Sequence, residues 1–277
     1  MNITENNEAT LDIGRLGKLP ARSSQKALLF DDFLKPRAEV KVPESFDFWG
    51  RRKPFPLRSF GNREHGCCTV ASQALAAMRS ERLEQRRTIE IPTESVLKAY
   101  YDMTARLYGG GDTGAYETDA LSQWRNPDLT FRDGKGRPVT IDAFTRINHF
   151  DHEAVRRAFF ITAGKGIKVC FNLPVAWSYK AWDLPEGQSM TGEWMPGSWG
   201  GHSMFAVSKY NKNGFWVVHS WDIPDQFVTW RGAAAYMDEA HWYIDSINSW
   251  KKTKASSSVN FSKLVSAVNE VSSIKIK

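Results

Sequence analysis

The sequence predicts an α+β protein in which a helical first half meets a stranded second half, with the functional site where the two adjoin. Three observations carry this. Small and apolar residues recur at helical spacing in successive segments between positions 68 and 160. Beyond position 167 the apolar residues gather instead in short runs rich in β-branched and aromatic side chains, separated by turn residues. A cysteine at the start of the first helix and a histidine at the entry of a strand then supply chemistry to the join. With 277 residues the chain is long enough for two lobes around a cleft.

Taken in order, residues 1–25 are polar and expected to be loose. Residues 26–60 mix prolines with apolar clusters at 27–33 and 46–49, which suits ordered but irregular chain. A helix over 68–78 follows from small and apolar residues at 70, 71, 74, 75 and 78. Thr93 is the expected N-cap of a helix through Leu107, with Val96, Leu97, Tyr100 and Tyr101 on one side. Gly109, Gly110, Gly111 and Gly114 bound a loop, a short helix follows at 117–124, and 151–160 is helical through Ala154, Val155, Ala158 and Phe159. Strands are expected at 167–173, 203–209, 215–220, 226–230 and 242–244, with Asn211 to Gly214 turning a hairpin. The Ser- and Lys-rich segment 251–277 reads as a basic flexible tail with a short helix near Leu264. The organisation is thus an extension over 1–40, one domain over 41–250 with lobes at about 60–160 and about 165–247, and the tail.

Composition narrows the function. The formal charge of +6 invites a nucleic-acid reading, but six lysines against the lone Glu270 put nearly all of it in the tail. The folded body therefore carries no basic recognition face of the kind nucleic acid requires. Three cysteines, two of them adjacent, make no disulfide framework and fit a reducing compartment. The start of the chain lacks the apolar core of a signal peptide, and no apolar run is long enough to span a bilayer. The expectation is a cytoplasmic protein with no membrane partner.

The most informative segment is Phe60-Gly-Asn-Arg-Glu-His-Gly-Cys-Cys-Thr-Val-Ala-Ser72. A loop with two glycines feeds a helix whose first residue is Cys68. Free N–H groups and the partial positive charge of a helix start favour the thiolate, the attacking form of a nucleophilic cysteine. On this segment alone, a buried space-filling cysteine explains the residue equally well. Trp199-Gly-Gly-His202-Ser-Met-Phe-Ala-Val207 breaks the tie, because it places an imidazole base at a strand entry after two glycines that permit close approach. Phe215-Trp-Val-Val-His219-Ser-Trp-Asp222 ends a strand in a polar group across the hairpin, where it can orient that imidazole.

In this order the segments resemble the papain-like (clan CA, C1-type) cysteine peptidases. Val42-Pro-Glu-Ser-Phe-Asp-Phe-Trp49 is similar to the start of a mature domain, and His219-Ser220-Trp221-Asp222 to the family's Asn-Ser-Trp-Gly element. The interval from Cys68 to His202 also falls in the papain-type range of about 130–150 residues. The chain further resembles uncharacterised bacterial and phage papain-like proteins with a Gly-Gly-His strand. The resemblance covers about 40–247. It implies a helical lobe followed by an antiparallel β-sheet or barrel lobe, with an active-site cleft between. Carried over, Cys68 is the nucleophile, His202 the base and His219 its orienting partner. Asn62 supplies an oxyanion N–H together with the Cys68 backbone. Gly110, Gly111, Trp199, Gly200, Gly201 and Trp221 would contact substrate, and no metal or cofactor is called for.

Three positions depart from the family pattern: His219 stands for an asparagine, Thr69 for a tryptophan, and His65 for a cysteine normally in a disulfide. An imidazole both accepts and donates, so His219 retains the means to orient His202. The leading reading is a hydrolase of a peptide or isopeptide bond, with a peptide or protein substrate. Two alternatives stay open: a papain-fold binding or structural protein of phage or bacterial origin, associated with a virion or cell wall, and a peptidoglycan amide hydrolase. The four tryptophans at 177, 182, 194 and 199 are expected to form a groove leading to His202, and His149, Asp151 and His152 to form a helix-capping region and not a metal pair.

Overall fold

The structure is a computed structural model that describes residues 14–22, 28–35, 41–48, 57–85, 89–162, 164–246 and 258–271. The first lobe is helical. Helix α1 (Cys68–Gln85) carries Val70, Ala71, Ala74, Leu75 and Met78 into the core, and Ser72, Gln73 and Arg79 are buried as well. It runs about two turns past the expected end because the polar residues after Met78 are good helix formers. Helix α2 (Thr93–Tyr108) packs beside it. Its N-cap is Pro92, in extended conformation, so Thr93 sits inside the helix and makes no cap hydrogen bond. Gly109, at φ 84°, ends α2 by returning its N–H to the Thr104 carbonyl, as a left-handed C-cap does.

Helix α3 (Glu117–Trp124) has the predicted bounds. Helix α4 (His152–Ile161) starts one residue late because Asp151 is its cap, accepting from the N–H groups of Glu153 and Ala154. The residues between His149 and His152 are therefore a capping region.

The second lobe is an antiparallel sheet. Its strands are β2 (Ala143–Arg146), β3 (Ile167–Leu173), β4 (Gly200–Asn211), β5 (Gly214–Val218), β6 (Gln226–Thr229) and β7 (Met237–Ile244). They lie in the order β2-β7-β3-β4-β5-β6, and the short β1 (Phe46–Asp47) pairs with the far end of β4. The sheet stays open and does not close into a barrel. Asn211 and Gly214 close the β4–β5 hairpin as expected.

Helix α5 (Trp230–Tyr236), the early start of β7 and strand β2 go beyond the sequence expectation. Helix α5 is a single short run of small residues, capped by Thr229, and is too brief to set up a periodic signal. In the tail, helix α6 (Phe261–Val271) buries Phe261, Leu264 and Val268 against Phe30 and Phe33, so the helix near Leu264 is longer than expected and packed on the β lobe. Residues 251–257 and 272–277 of the expected flexible tail lie outside the described residues.

Each lobe has its own apolar core. They meet where the first turns of α1 abut β4, with Ser72 Oγ 3.2 Å from Ser203 Oγ. That join places Cys68 and His202 on facing elements.

Candidate active site

Cys68 is the first residue of α1 and has no solvent exposure. Burial pushes its thiol up to about 11. The backbone N–H groups of Ser203 and Gly17 and the Lys168 ammonium work against that, while Glu117 adds to it. The helix start that favours a thiolate is thus overridden by desolvation in the covered state. Cys67, beside it, faces the other way and donates its S–H to the Phe60 carbonyl at 3.7 Å.

His202 sits two residues into β4, opposite Phe171 of β3, and Ser203 sits opposite Cys170. His219 follows the last residue of β5. Trp221 ties them together: its ring stacks on His202 at 4.0 Å and 17°, and on His219 at 5.0 Å and 14°. The two imidazoles lie nearly parallel, 5.7 Å apart, and neither ring nitrogen of either has a protein hydrogen-bond partner among the described residues. Trp182 presses against His219 at 87° and 4.8 Å, closing it from solvent. Burial, then His219 and Lys168, lower the His202 pKa well below its ordinary value, and burial lowers that of His219 to about 3. In this state the thiol is protonated and both imidazoles are neutral.

Asn62 lies in a tight turn in which Phe60 and Gly61 both have positive φ, 51° and 82°. Its N–H returns to the Ser59 carbonyl at 2.9 Å. Its side-chain oxygen accepts from the Ser220 hydroxyl at 2.7 Å, which fixes the amide so that Nδ2 donates to the carbonyls of His65, at 2.8 Å, and Arg15, at 2.9 Å. Ser220 is not among the site residues expected from the sequence, although it lies between His219 and Trp221. The signal was the need of a buried amide oxygen for a donor.

The main finding not read from the sequence is the strap formed by residues 14–19. Its chain lies across the join of the lobes. Arg15 N–H donates to the Asn62 carbonyl at 2.7 Å, Lys18 N–H to Gly201 at 3.0 Å and Leu19 N–H to Ala115 at 2.9 Å, while Gly17 accepts from Ala115 N–H at 2.8 Å. A side chain at Gly17 would lie 1.8 Å from the Gly66 carbonyl oxygen, and one at Gly201 would lie 2.1 Å from that of Lys18. These glycines are what let the backbones approach. Within the strap, the carbonyl on Asn62 Nδ2 belongs to Arg15, and the N–H that lowers the Cys68 thiol belongs to Gly17.

Other expected site residues divide. Gly200 and Gly201 line the strap, with a side chain at Gly200 meeting Leu16 at 2.8 Å. Trp199 packs its ring 5.7 Å from that of Trp221. A side chain at Gly110 would come within 3.9 Å of Ala105 alone, and one at Gly111 would meet open space. Gly114 and Ala115, a few residues on, lie against the strap. The groove expected from the tryptophans is not formed by Trp177, Trp182 and Trp194, which are buried in the core of the β lobe. The indole N–H groups of Trp177 and Trp182 are satisfied locally, by the carbonyls of Asp183 at 2.8 Å and Trp177 at 3.0 Å, so these two rings need no solvent face. Beneath Cys68, Lys168 and Glu117 form a fully buried ion pair at 3.4 Å, with Lys168 also donating to Ser72 and, at 2.8 Å, to Ser203.

Neither a scan of protein-family models nor a search of curated protein sequences found a match. Among solved structures, xylellain, a cysteine protease from Xylella fastidiosa, superposes with a TM-score of 0.63 at 16% identity, covering 85% of this chain and 97% of that one. The Carica candamarcensis cysteine protease CMS1MS2, in complex with E-64, matches with a TM-score of 0.51 at 14% identity, over 73% of this chain and 99% of its own. The ragweed pollen cysteine protease Amb a 11, in its proform, gives 0.50 at 14% identity, over 75% and 68%. With α1, which begins at Cys68, packed against the open antiparallel sheet whose strand β4 carries His202, the chain has the papain-like, C1-type cysteine protease fold.

Proposed function

We propose that this chain is a thiol hydrolase of peptide or isopeptide bonds, with Cys68 as nucleophile, His202 as base, and the N-terminal strap covering the site in its resting state. The observation that carries it is the convergence of four groups from distant parts of the chain: a cysteine at a helix start, a histidine on the facing strand, a tryptophan stacked on that histidine, and a side-chain amide aimed into the cleft. A structural cysteine needs none of the last three.

In the reaction His202 takes the Cys68 proton and the sulfur adds to the carbonyl carbon. The oxygen gathers charge against the Asn62 N–H and the Cys68 backbone N–H. His202 then passes its proton to the leaving amine as the C–N bond breaks. Water, deprotonated by His202, adds to the thioester, and collapse returns the thiol. Trp221, stacked on His202 at 4.0 Å, holds the imidazole plane, whereas His219, expected from the sequence to orient His202, makes no hydrogen bond to it in the covered state. The strap has to leave first, and its departure reverses the desolvation that now keeps thiol and imidazole neutral.

A second reading, a papain-fold binding protein, draws on one observation: among the described residues the His202 and His219 ring nitrogens have no hydrogen-bond partner. Thiol labelling separates the two. The hydrolase reading expects an iodoacetamide probe to label Cys68 faster than Cys67 at neutral pH once the strap is displaced, and His202→Ala to abolish that difference. Equal, slow labelling of both cysteines, unaffected by His202→Ala, would favour the binding protein.

A further inference from the structure

A cavity of about 280 Å³ lies where α3, β2, β7 and α6 converge on Leu28, and none of the candidate catalytic residues lines it. Two guanidiniums from separate elements reach it, Arg125 just after α3 and Arg146 at the end of β2. Arg125 is held in place by donating Nε to the Asp142 carbonyl at 2.9 Å. No aspartate or glutamate is among the described residues that line the cavity. The nearby carboxylates are committed elsewhere. Asp119 pairs with Arg22 at 3.0 Å, and Glu239 with His241 at 3.0 Å and Lys18 at 3.3 Å, Lys18 also pairing with Asp238. An adjoining cavity shares Ser122, Arg125, Phe144 and Val271 and adds Arg106 beside the Asp119–Arg22 pair.

Three polar atoms of the lining residues have no hydrogen-bond partner among the described residues: Thr118 Oγ1, Thr145 Oγ1 and His241 Nδ1. Thr145 and His241 are each only 1% exposed. The Glu239 carboxylate engages His241 Nε2, so Nδ1 is the ring nitrogen left over. A buried polar group without a partner is unfavourable, and three of them gathered on one cavity call for a polar guest. The threonine hydroxyls can donate to an anion as they stand, and His241 can do so as the imidazolium. The rest of the wall is apolar, from Leu28, Phe144, Val268 and Val271. Val271, the last residue of α6, is exposed and marks the side that opens to solvent.

We propose that this cavity binds a small amphipathic carboxylate, with its carboxylate between Arg125 and Arg146 and its hydrocarbon chain on the apolar wall. A guanidinium fork matches a carboxylate bidentately, and burial of the chain adds to the affinity. Inorganic phosphate would leave the apolar wall unused, and an alcohol would leave the two guanidiniums unused. The site does not rest on the thiol-hydrolase reading above.

The test uses the full chain with its strap in place. Octanoate, 1-octanol and acetate are titrated into it calorimetrically. Octanoate is expected to bind at one site at least about tenfold tighter than either comparison ligand, over octanol through the ion pair and over acetate through the buried chain. Arg146→Gln should bring octanoate to about the affinity of octanol and leave octanol unchanged. Ser122→Trp, at an exposed position of α3 shared by both cavities, should weaken octanoate and octanol alike. It carries the test if Arg146→Gln does not fold. The ¹⁵N resonance of His241 Nδ1 should shift on saturation with octanoate. Equal affinity for octanoate and octanol would make this a merely apolar cavity and overturn the proposal. Octanoate binding untouched by both variants, or no binding at all, would overturn it too. Cys68→Ser should bind octanoate as the parent does, so a failure of the hydrolase reading leaves the site standing.

Discussion

The Ser220 hydroxyl donates to Asn62 Oδ1 at 2.7 Å, across 158 residues of chain, and so decides which way the Asn62 amide faces. With the oxygen held from behind, Nδ2 is directed into the cleft, where it now meets the Arg15 carbonyl. An oxyanion donor acts through its orientation before the charge develops. Asn62→Ala is therefore expected to lower kcat by about 10²–10³, with little change in KM. Ser220→Ala leaves the donor present but free to rotate, and its expected loss is smaller, about tenfold, again in kcat. Steady-state kinetics on a strap-displaced chain checks both. A loss confined to KM would place Asn62 in substrate binding instead.

The strap is held by close backbone approach, and that makes it sensitive to a single methyl group. At Gly17 an added Cβ would lie 1.8 Å from the Gly66 carbonyl oxygen, a separation no backbone accommodates. Gly17→Ala or Gly17→Val should release the strap and admit water to Cys68. Because burial is the largest cause of the raised thiol pKa, its removal should bring the thiol down. Alkylation at neutral pH should rise at least about tenfold, since each unit of pKa is a tenfold change in thiolate fraction at fixed pH. Cys67 donates to Phe60 behind the helix and serves as the internal reference, read by peptide mass spectrometry.

Part of this candidate site can be placed from the sequence, and the parts that cannot share a cause. Cys68 could be placed because a glycine-bearing loop runs directly into a helical pattern, and His202 because two glycines precede a strand. Both signals are local. The strap could not be read, because its partners Asn62, Ala115 and Gly201 lie far along the chain and its own residues follow no period. The burial of Trp177 and Trp182 escaped for a related reason. Their N–H groups are satisfied by carbonyls within six residues in an irregular segment, so polarity and glycine content suggested a groove where the chain builds core. Strand β7 was seen only from position 242, because Asp238, Glu239 and His241 interrupt its apolar pattern. Those same residues include the carboxylates that hold Lys18.

Acid should loosen the protein through His219. Its folded pKa is lowered to about 3 by burial, against an unfolded value of about 6.5. Between those values the unfolded chain binds a proton that the folded one refuses, so stability rises with pH and is lost as pH falls from about 6.5 toward 3. His202 is shifted the same way. Carboxylates titrate in the lower part of this window, so the comparison is with His219→Asn, which keeps a polar group of similar reach but no charge. Urea midpoints measured at pH 7, 5.5 and 4.5 should fall less steeply for His219→Asn than for the parent chain. Identical slopes would mean that His219 is accessible to protons in the folded state.

The buried pair beneath Cys68 offers a sharper test of how the site is held. Lys168 and Glu117 have no exposed side-chain surface, and the ammonium also anchors Ser72 of α1 and Ser203 of β4. Lys168→Met would strand the Glu117 carboxylate in the interior, at an expected cost of about 3–5 kcal/mol. Replacing both, as Lys168→Met/Glu117→Met, removes the charge altogether and leaves the two serine hydroxyls the hydrogen bond they already share at 3.2 Å. The double variant should regain most of the lost stability, a pattern that pairwise additivity does not produce. The two charges also act in opposite senses on the Cys68 thiol, so the double variant should alkylate at close to the parent rate while Lys168→Met alone alkylates more slowly. Chemical denaturation of the singles and the double gives the coupling. A double variant no more stable than Lys168→Met would show that the ammonium matters chiefly as the bridge between α1 and β4, and not as the counter-charge of Glu117.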